Sequence, residues 1–163
     1  MHLLKRLVKI LLVLSLFFLF IPVSKEINIK IKTNKIIKNK VVNEYLGYIY
    51  IPKFDYKNII DNKSNTLDDN EILLPSFSGN IGDKRIILAG HNNRYVFNKI
   101  YSLDLDDSVI ISDFNVDYKY RVVDKYIIEV DDFSTFDEDD TLYLMTCTDN
   151  NQERFIVKTK KDL

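Results

Sequence analysis

The chain has 163 residues, 46% of them hydrophobic and 29% charged, which excludes general disorder and suits one compact domain with a real core. The net charge of −1 is unevenly spread: residues 45–163 carry 14 Lys+Arg against 22 Asp+Glu, residues 25–44 carry six Lys against two Glu, and residues 1–24 add +3. An acidic domain behind a basic segment argues against nucleic-acid binding, because phosphate recognition needs a positive surface on the folded part.

At the amino terminus, Lys5, Arg6 and Lys9 precede an uninterrupted apolar run from Ile10 to Val23. This pattern predicts an export signal or a signal anchor. Cleavage after Ser24 would put Pro22 where a small residue is wanted, so an uncleaved anchor over residues 1–24 is the expectation. Including Leu7 and Val8 lengthens the run, since Lys9 can extend its ammonium toward lipid headgroups. The expected topology has the amino terminus inside and the domain outside the cell. Residues 25–44 alternate lysine and isoleucine and predict a stalk attracted to anionic headgroups. The competing reading is an edge strand guarded by its lysines.

The folded domain is expected to begin at Tyr45. Gly47 to Pro52 alternates and ends at a proline, as a strand does, and Tyr56 to Ile60 predicts a second short strand. Residues 62–70 are polar and turn-rich, and residues 71–75 predict a helical turn or strand. Arg85 to Ala89 reads as a buried strand that delivers Gly90-His91-Asn92-Asn93 at its end. Residues 94–103 have a weak helical pattern, Val109 to Ile111 predicts a strand, and residues 117–130 predict one long bent strand or two. Residues 131–140 form an acidic loop. No helix longer than about three turns is predicted after the anchor. Many short strands at close spacing therefore predict an all-β domain, closed or nearly closed into a barrel.

The stretch Thr141 to Val157 carries the chemistry. Thr141 to Thr146 and Phe155 to Val157 predict two strands, joined by a polar turn at Asp149-Asn150-Asn151. A turn centred on Asn150-Asn151 sets Cys147 directly opposite Arg154, with Cβ atoms roughly 5 Å apart on one face. Cys147 is the chain's single cysteine, so it forms no internal disulfide. A thiolate is the nucleophilic form of cysteine, and a neighbouring cation favours it. Arginine also suits an oxyanion formed when sulfur attacks a carbonyl. The chain has two histidines, His2 and His91. His2 precedes the apolar run, so a base for Cys147 has to be His91. The bland readings are a buried cysteine, a loop histidine, and an arginine paired on the surface with Asp149 or Glu153.

The block Leu144-Met145-Thr146-Cys147 at a strand end, Arg154 on the next strand, and upstream Ala89-Gly90-His91 resemble the sortases, cysteine transpeptidases of Gram-positive cell surfaces. The resemblance covers residues 45–160 in element order, and its short loops are similar to those of classes D and E. It implies a closed eight-stranded barrel with one or two short helices behind a membrane helix. It implies Cys147 as nucleophile, His91 as acid/base and Arg154 as oxyanion or substrate-positioning residue. Ala89, Asn92 and Thr146 are the further candidates for substrate binding. The implied substrates are surface proteins ending in a Leu-Pro-x-Thr-Gly-like signal, and the implied acceptor is an amine of a wall precursor or pilin. No cofactor is expected, although the acidic loop of residues 131–140 leaves room for a weak calcium site. Two other functions fit the same residues: a hydrolytic cysteine peptidase, and a non-catalytic module that binds surface peptides.

Overall fold

The computed structural model describes residues 2–39, 45–61, 70 and 72–162, with the side chains of residues 2–4 and 16–20 outside that set. Helix α1 spans His2–Asn39. The strands are β1 Tyr45–Ile51, β2 Tyr56–Asp61, β3 Ile72–Leu73, β4 Arg85–Gly90, β5 Ser108–Ser112, β6 Asp117–Glu129, β7 Thr141–Cys147 and β8 Glu153–Lys161. Two 3-10 segments, Pro52–Phe54 and Asn98–Ser102, complete the described elements.

The eight strands close into a barrel in the order β1-β2-β3-β4-β7-β8-β6-β5. Closure removes the unpaired edges that would otherwise template aggregation. The pairs β2/β3 and β4/β7 are parallel, and the remaining pairs are antiparallel. Residues 117–129 form one long strand rather than two, with a register irregularity between Val122 and Asp124. The weak helical pattern of residues 94–103 becomes the short 3-10 segment. Residues 62–69 and Glu71 lie outside the described residues.

Strand alternation builds two apolar layers. Ile86 and Leu88 of β4, Leu142 and Leu144 of β7, and Val157 of β8 point inward, where they join Val96, Phe97 and Ile100 in the barrel core. Ile87, Tyr143 and Ile156 point outward and pack with Ile128 and Phe136. Phe136 belongs to the segment between β6 and β7, so that segment roofs the outer face of the sheet. Arg85 fixes the roof by donating from Nη1 to the Phe136 carbonyl at 2.5 Å.

The amino-terminal region differs from the expected stalk or edge strand. Residues 25–39 continue α1 as helix. The alternating isoleucines satisfy a strand's period, but Ile29, Thr33 and Ile36 also recur at helical spacing and share one face. That face is turned in: Thr33 is buried and Ile29 and Ile36 are half-buried. Lys30 Nζ bonds Asp55 Oδ2 at 2.5 Å, while Glu26 reaches Arg94 at 3.5 Å and Lys99 at 3.6 Å. Through this bond Asp55 raises the pKa of the Lys30 ammonium, and Lys30 holds the Asp55 carboxyl below its ordinary range. Both groups are exposed, so the pair orients the helix more than it stabilises it. Further toward the amino terminus, Leu7, Val8 and Ile10 to Leu14 expose about half of their surface or more. Among the described residues no helix is long and apolar enough to cross a membrane. The centre of the run Ile10 to Val23, residues 16–20, has its side chains outside the described set.

Candidate active site

The parity that separates the two apolar layers also assembles the site. Ala89 pairs with Met145 across the parallel β4/β7 ladder. Cys147 pairs with Arg154 across β7/β8. Residues 89 and 91, 145 and 147, and 154 all fall on the outward side, so strand geometry delivers them to one face. There they line an open groove of about 310 Å³ with Phe77, Gly90, Val130, Asp131, Phe133 and Thr146. His91 at the end of β4, Cys147 of β7 and Arg154 of β8 are thus brought together along one groove.

Each candidate residue is held in place by local structure. Thr146 faces inward between Met145 and Cys147, is buried, and donates from Oγ1 to the Gly90 carbonyl at 2.8 Å. That bond ties the end of β7 to the residue before His91. Gly90 is needed because a Cβ there would sit 2.7 Å from Val96 Cγ1 and 2.8 Å from Phe97 Cδ2. The bare backbone lets the chain fold back over the barrel rim immediately after β4. The His91 carbonyl then accepts from Asn93 N at 2.9 Å and Phe97 N at 3.1 Å, which closes a tight turn around His91.

The hairpin beside Cys147 keeps the expected register with a different turn. Thr148 N bonds the Glu153 carbonyl at 3.1 Å, and Asn151 N bonds the Thr148 carbonyl at 3.0 Å. Asn151 takes the left-handed conformation, φ 59°. The connection is therefore a four-residue loop, because Asn150 Oδ1 captures the Gln152 amide at 3.0 Å and Thr148 Oγ1 at 2.6 Å. These side-chain bonds compete with a two-residue turn. Arg154 forms no ion pair with Asp149 or Glu153. Its Nη1 donates to the Glu153 carbonyl at 3.1 Å and the Asn151 carbonyl at 3.3 Å. Both bonds leave from one nitrogen of a five-donor fork.

Of the other candidates, Ala89 and Thr146 line the groove, the first with its side chain and the second as a buried brace. Asn92 is not among the lining residues. It donates from Nδ2 to Asp149 Oδ1 at 3.1 Å and accepts from Asn98 Nδ2 at 3.0 Å. The side chain of His2 lies outside the described residues. Among the described residues no group of three His, Cys, Asp or Glu side chains is placed to hold a metal ion.

Several site residues were not identified from the sequence. Tyr101 donates from Oη to the Cys147 carbonyl at 3.1 Å, and its ring stacks on Phe155 with centroids 4.1 Å apart and 14° between planes. Burial pushes the Tyr101 phenol up, and Asp149 and Cys147 add to the effect, so it remains a donor at neutral pH. Phe77 and Phe133 are both exposed, 44% and 48%, and meet at 4.8 Å between centroids on the groove wall. Phe133 was hidden in a stretch whose conspicuous feature is its aspartates.

Comparison with known proteins places this arrangement. Residues 49–162 match the family model described as the sortase domain. Among solved structures, sortase A of Listeria monocytogenes is 22% identical, with a TM-score of 0.65, covering 74% of this chain and 88% of that one. The sortase D5 transpeptidase of Clostridium perfringens is 23% identical, with a TM-score of 0.66, covering 81% and 94%. Sortase C of Streptococcus pneumoniae is 20% identical, with a TM-score of 0.66, covering 74% and 70%. Comparison with curated proteins gives no match.

Proposed function

We infer that this chain, which belongs to the sortase family of cysteine transpeptidases, performs its transfer with Cys147, His91 and Arg154 on a peptide laid along the groove. The observation that carries this reading is the meeting of those three side chains on one outward face, with Cys147 and Arg154 in direct cross-strand register. The substrate we assign is a surface protein ending in a Leu-Pro-x-Thr-Gly-like signal. The backbone of that signal would lie over Ala89 and Met145, against the aromatic wall of Phe77 and Phe133.

The steps follow from the residue types. With the Cys147 proton passed to His91, the thiolate sulfur attacks the scissile carbonyl carbon and the carbonyl electrons move to oxygen, where the Arg154 guanidinium offsets the charge. As the tetrahedral centre collapses, the C–N bond breaks and His91 gives a proton to the leaving amine. The protein is then held as a thioacyl ester on Cys147. An amine of a wall precursor or pilin attacks that ester, His91 takes its proton, and the thiolate leaves. The product is a new amide bond and the starting enzyme.

We assign the apolar run Ile10 to Val23 to the membrane, with the barrel outside the cell. Leu7, Val8 and Ile10 to Leu14 are largely unburied by protein, and a continuous exposed apolar surface of this kind needs a nonpolar partner. Lys5, Arg6 and Lys9 precede the run and six lysines follow it within residues 25–44, so the orientation rests on the surface substrates of the family and not on flanking charge. Protease treatment of intact cells tests this: the barrel is digested and a short amino-terminal fragment survives. Complete protection of the barrel would refute the orientation.

The reaction is tested with the full chain in detergent micelles, Leu-Pro-x-Thr-Gly peptides and triglycine. A thioester adduct on Cys147 and a triglycine-linked product are expected, and Cys147→Ala loses both. Cleavage without a transfer product at any amine concentration would favour a hydrolytic peptidase. Unchanged binding and no adduct with any peptide would favour a non-catalytic module.

A further inference from the structure

Two segments meet at Cys147 without sharing a strand ladder. One is residues 91–102, which leaves β4 at His91. The other is Thr148 with the four-residue loop 149–152 that follows it. Asn92, the neighbour of His91, donates to Asp149 Oδ1 at 3.1 Å, and Asn98 donates to Asn92 Oδ1 at 3.0 Å. At the other end of the first segment, Tyr101 donates to the Cys147 carbonyl at 3.1 Å and rests flat on Phe155, the residue after Arg154. The histidine segment is thereby joined to the cysteine hairpin at two points.

The second point has the half-buried ring of Phe155 beneath it, and the first has no ring. Asn98 and Asp149 are exposed and Asn92 is only half-buried, so their bonds compete with water and add little to stability. Their effect is on position. Asn92 and Asp149 lie one and two residues from the two side chains that must exchange a proton. Misplacing reacting groups by about 1 Å can cost on the order of a hundredfold in rate.

We propose that the Asn92–Asp149 hydrogen bond is a latch that sets the distance and angle between His91 and Cys147, and that both are positioning residues for the transfer. The proposal rests on His91 and Cys147 carrying the reaction. A separate reading would give Asp149 a direct electrostatic role through its negative charge. The two differ because an asparagine at 149 keeps an acceptor oxygen for Asn92 while removing the charge.

Reciprocal exchange separates them. In N92D two carboxylates face each other and the latch opens. In N92D combined with D149N the partners are swapped: the new amide donates to the new carboxylate, which still accepts from Asn98. The full-length protein in detergent micelles is assayed with a Leu-Pro-x-Thr-Gly peptide series and triglycine. N92D is expected to lower kcat at least tenfold with KM within about threefold and Tm within a degree or two. D149N loses no more than about threefold, and the double variant recovers to within about threefold of wild type. The same order is expected in the rate of Cys147 alkylation by iodoacetamide, which reads the single thiol without any peptide.

Wild-type kcat and alkylation in N92D would overturn the latch, as would a double variant no better than N92D. A loss in D149N as large as that in N92D would assign the effect to charge and overturn it equally. Transfer that survives in Cys147→Ala would instead sink the catalytic reading beneath it.

Discussion

Thr146→Val tests how the site is held. The substitution keeps the side-chain shape and deletes the hydroxyl that donates to the Gly90 carbonyl at 2.8 Å. Thr146 is 2% exposed, so water cannot replace the lost donor without opening the sheet. A buried acceptor left unpaired costs about 1–3 kcal/mol. At about 2–4 °C for each kcal/mol in a domain of 150–250 residues, Tm should fall by roughly 2–12 °C. Activity should fall further than this loss of folded protein explains, because Gly90 and Thr146 are the immediate neighbours of His91 and Cys147. Assayed well below Tm, kcat is expected to drop about tenfold or more. Thr146→Ser keeps the hydroxyl and loses a methyl group, worth about 1 kcal/mol, so it should lose stability while keeping most of kcat. Scanning calorimetry and steady-state transfer kinetics on the three proteins decide the matter. A Thr146→Val protein with wild-type Tm and kcat would refute the argument that this hydroxyl couples β7 to the histidine.

Other expectations follow from single contacts. Gly90→Ala pushes a methyl group against Val96 and Phe97 of the core and should cost about 1–3 kcal/mol in urea unfolding; unchanged stability would show that the rim relaxes freely. Tyr143 Oη is buried and has no hydrogen-bond partner among the described residues, so Tyr143→Phe should be neutral or stabilising by up to about 1 kcal/mol. A clear loss in that variant would reveal a partner for the hydroxyl. Lys158, and then Lys160, hold the Glu138 carboxyl at about 2 against an ordinary value of 4.5. A depressed folded-state pKa gives stability that is present above the ordinary value and disappears as pH falls toward 2. The Tm gap between wild type and Glu138→Gln should therefore be small but measurable near neutrality and close between about pH 5 and 2; a gap that widens on acidification would contradict the sign.

The barrel was legible because strand period and turn chemistry act over a few residues. The Cys147–Arg154 register followed from counting across one hairpin, and it survived a change of turn type because the four-residue loop preserves the same pairing. What stayed hidden depends on distance along the chain. Tyr101 finds Cys147 from 46 residues away, and Asn92 finds Asp149 from 57. No local pattern announces such contacts. Residues 25–39 were obscured for a different reason. Their lysines and isoleucines fit both a strand's period and a helix's, and only the burial of Thr33 with Ile29 and Ile36 shows which one the fold uses.

The seating of α1 has a mechanical outcome. The helix runs without a break from Val23 to its first half-buried contact at Ile29, a rise of about 9 Å. A flexible leash of similar length would let the barrel tumble and sample every heading. If the apolar run is seated in the membrane as proposed, a strut pinned by Lys30 and Glu26 would instead give the groove a preferred height and compass bearing above the bilayer. Incoming chains would then be met at one elevation, which narrows the set of sorting signals that can be caught to those emerging at that level.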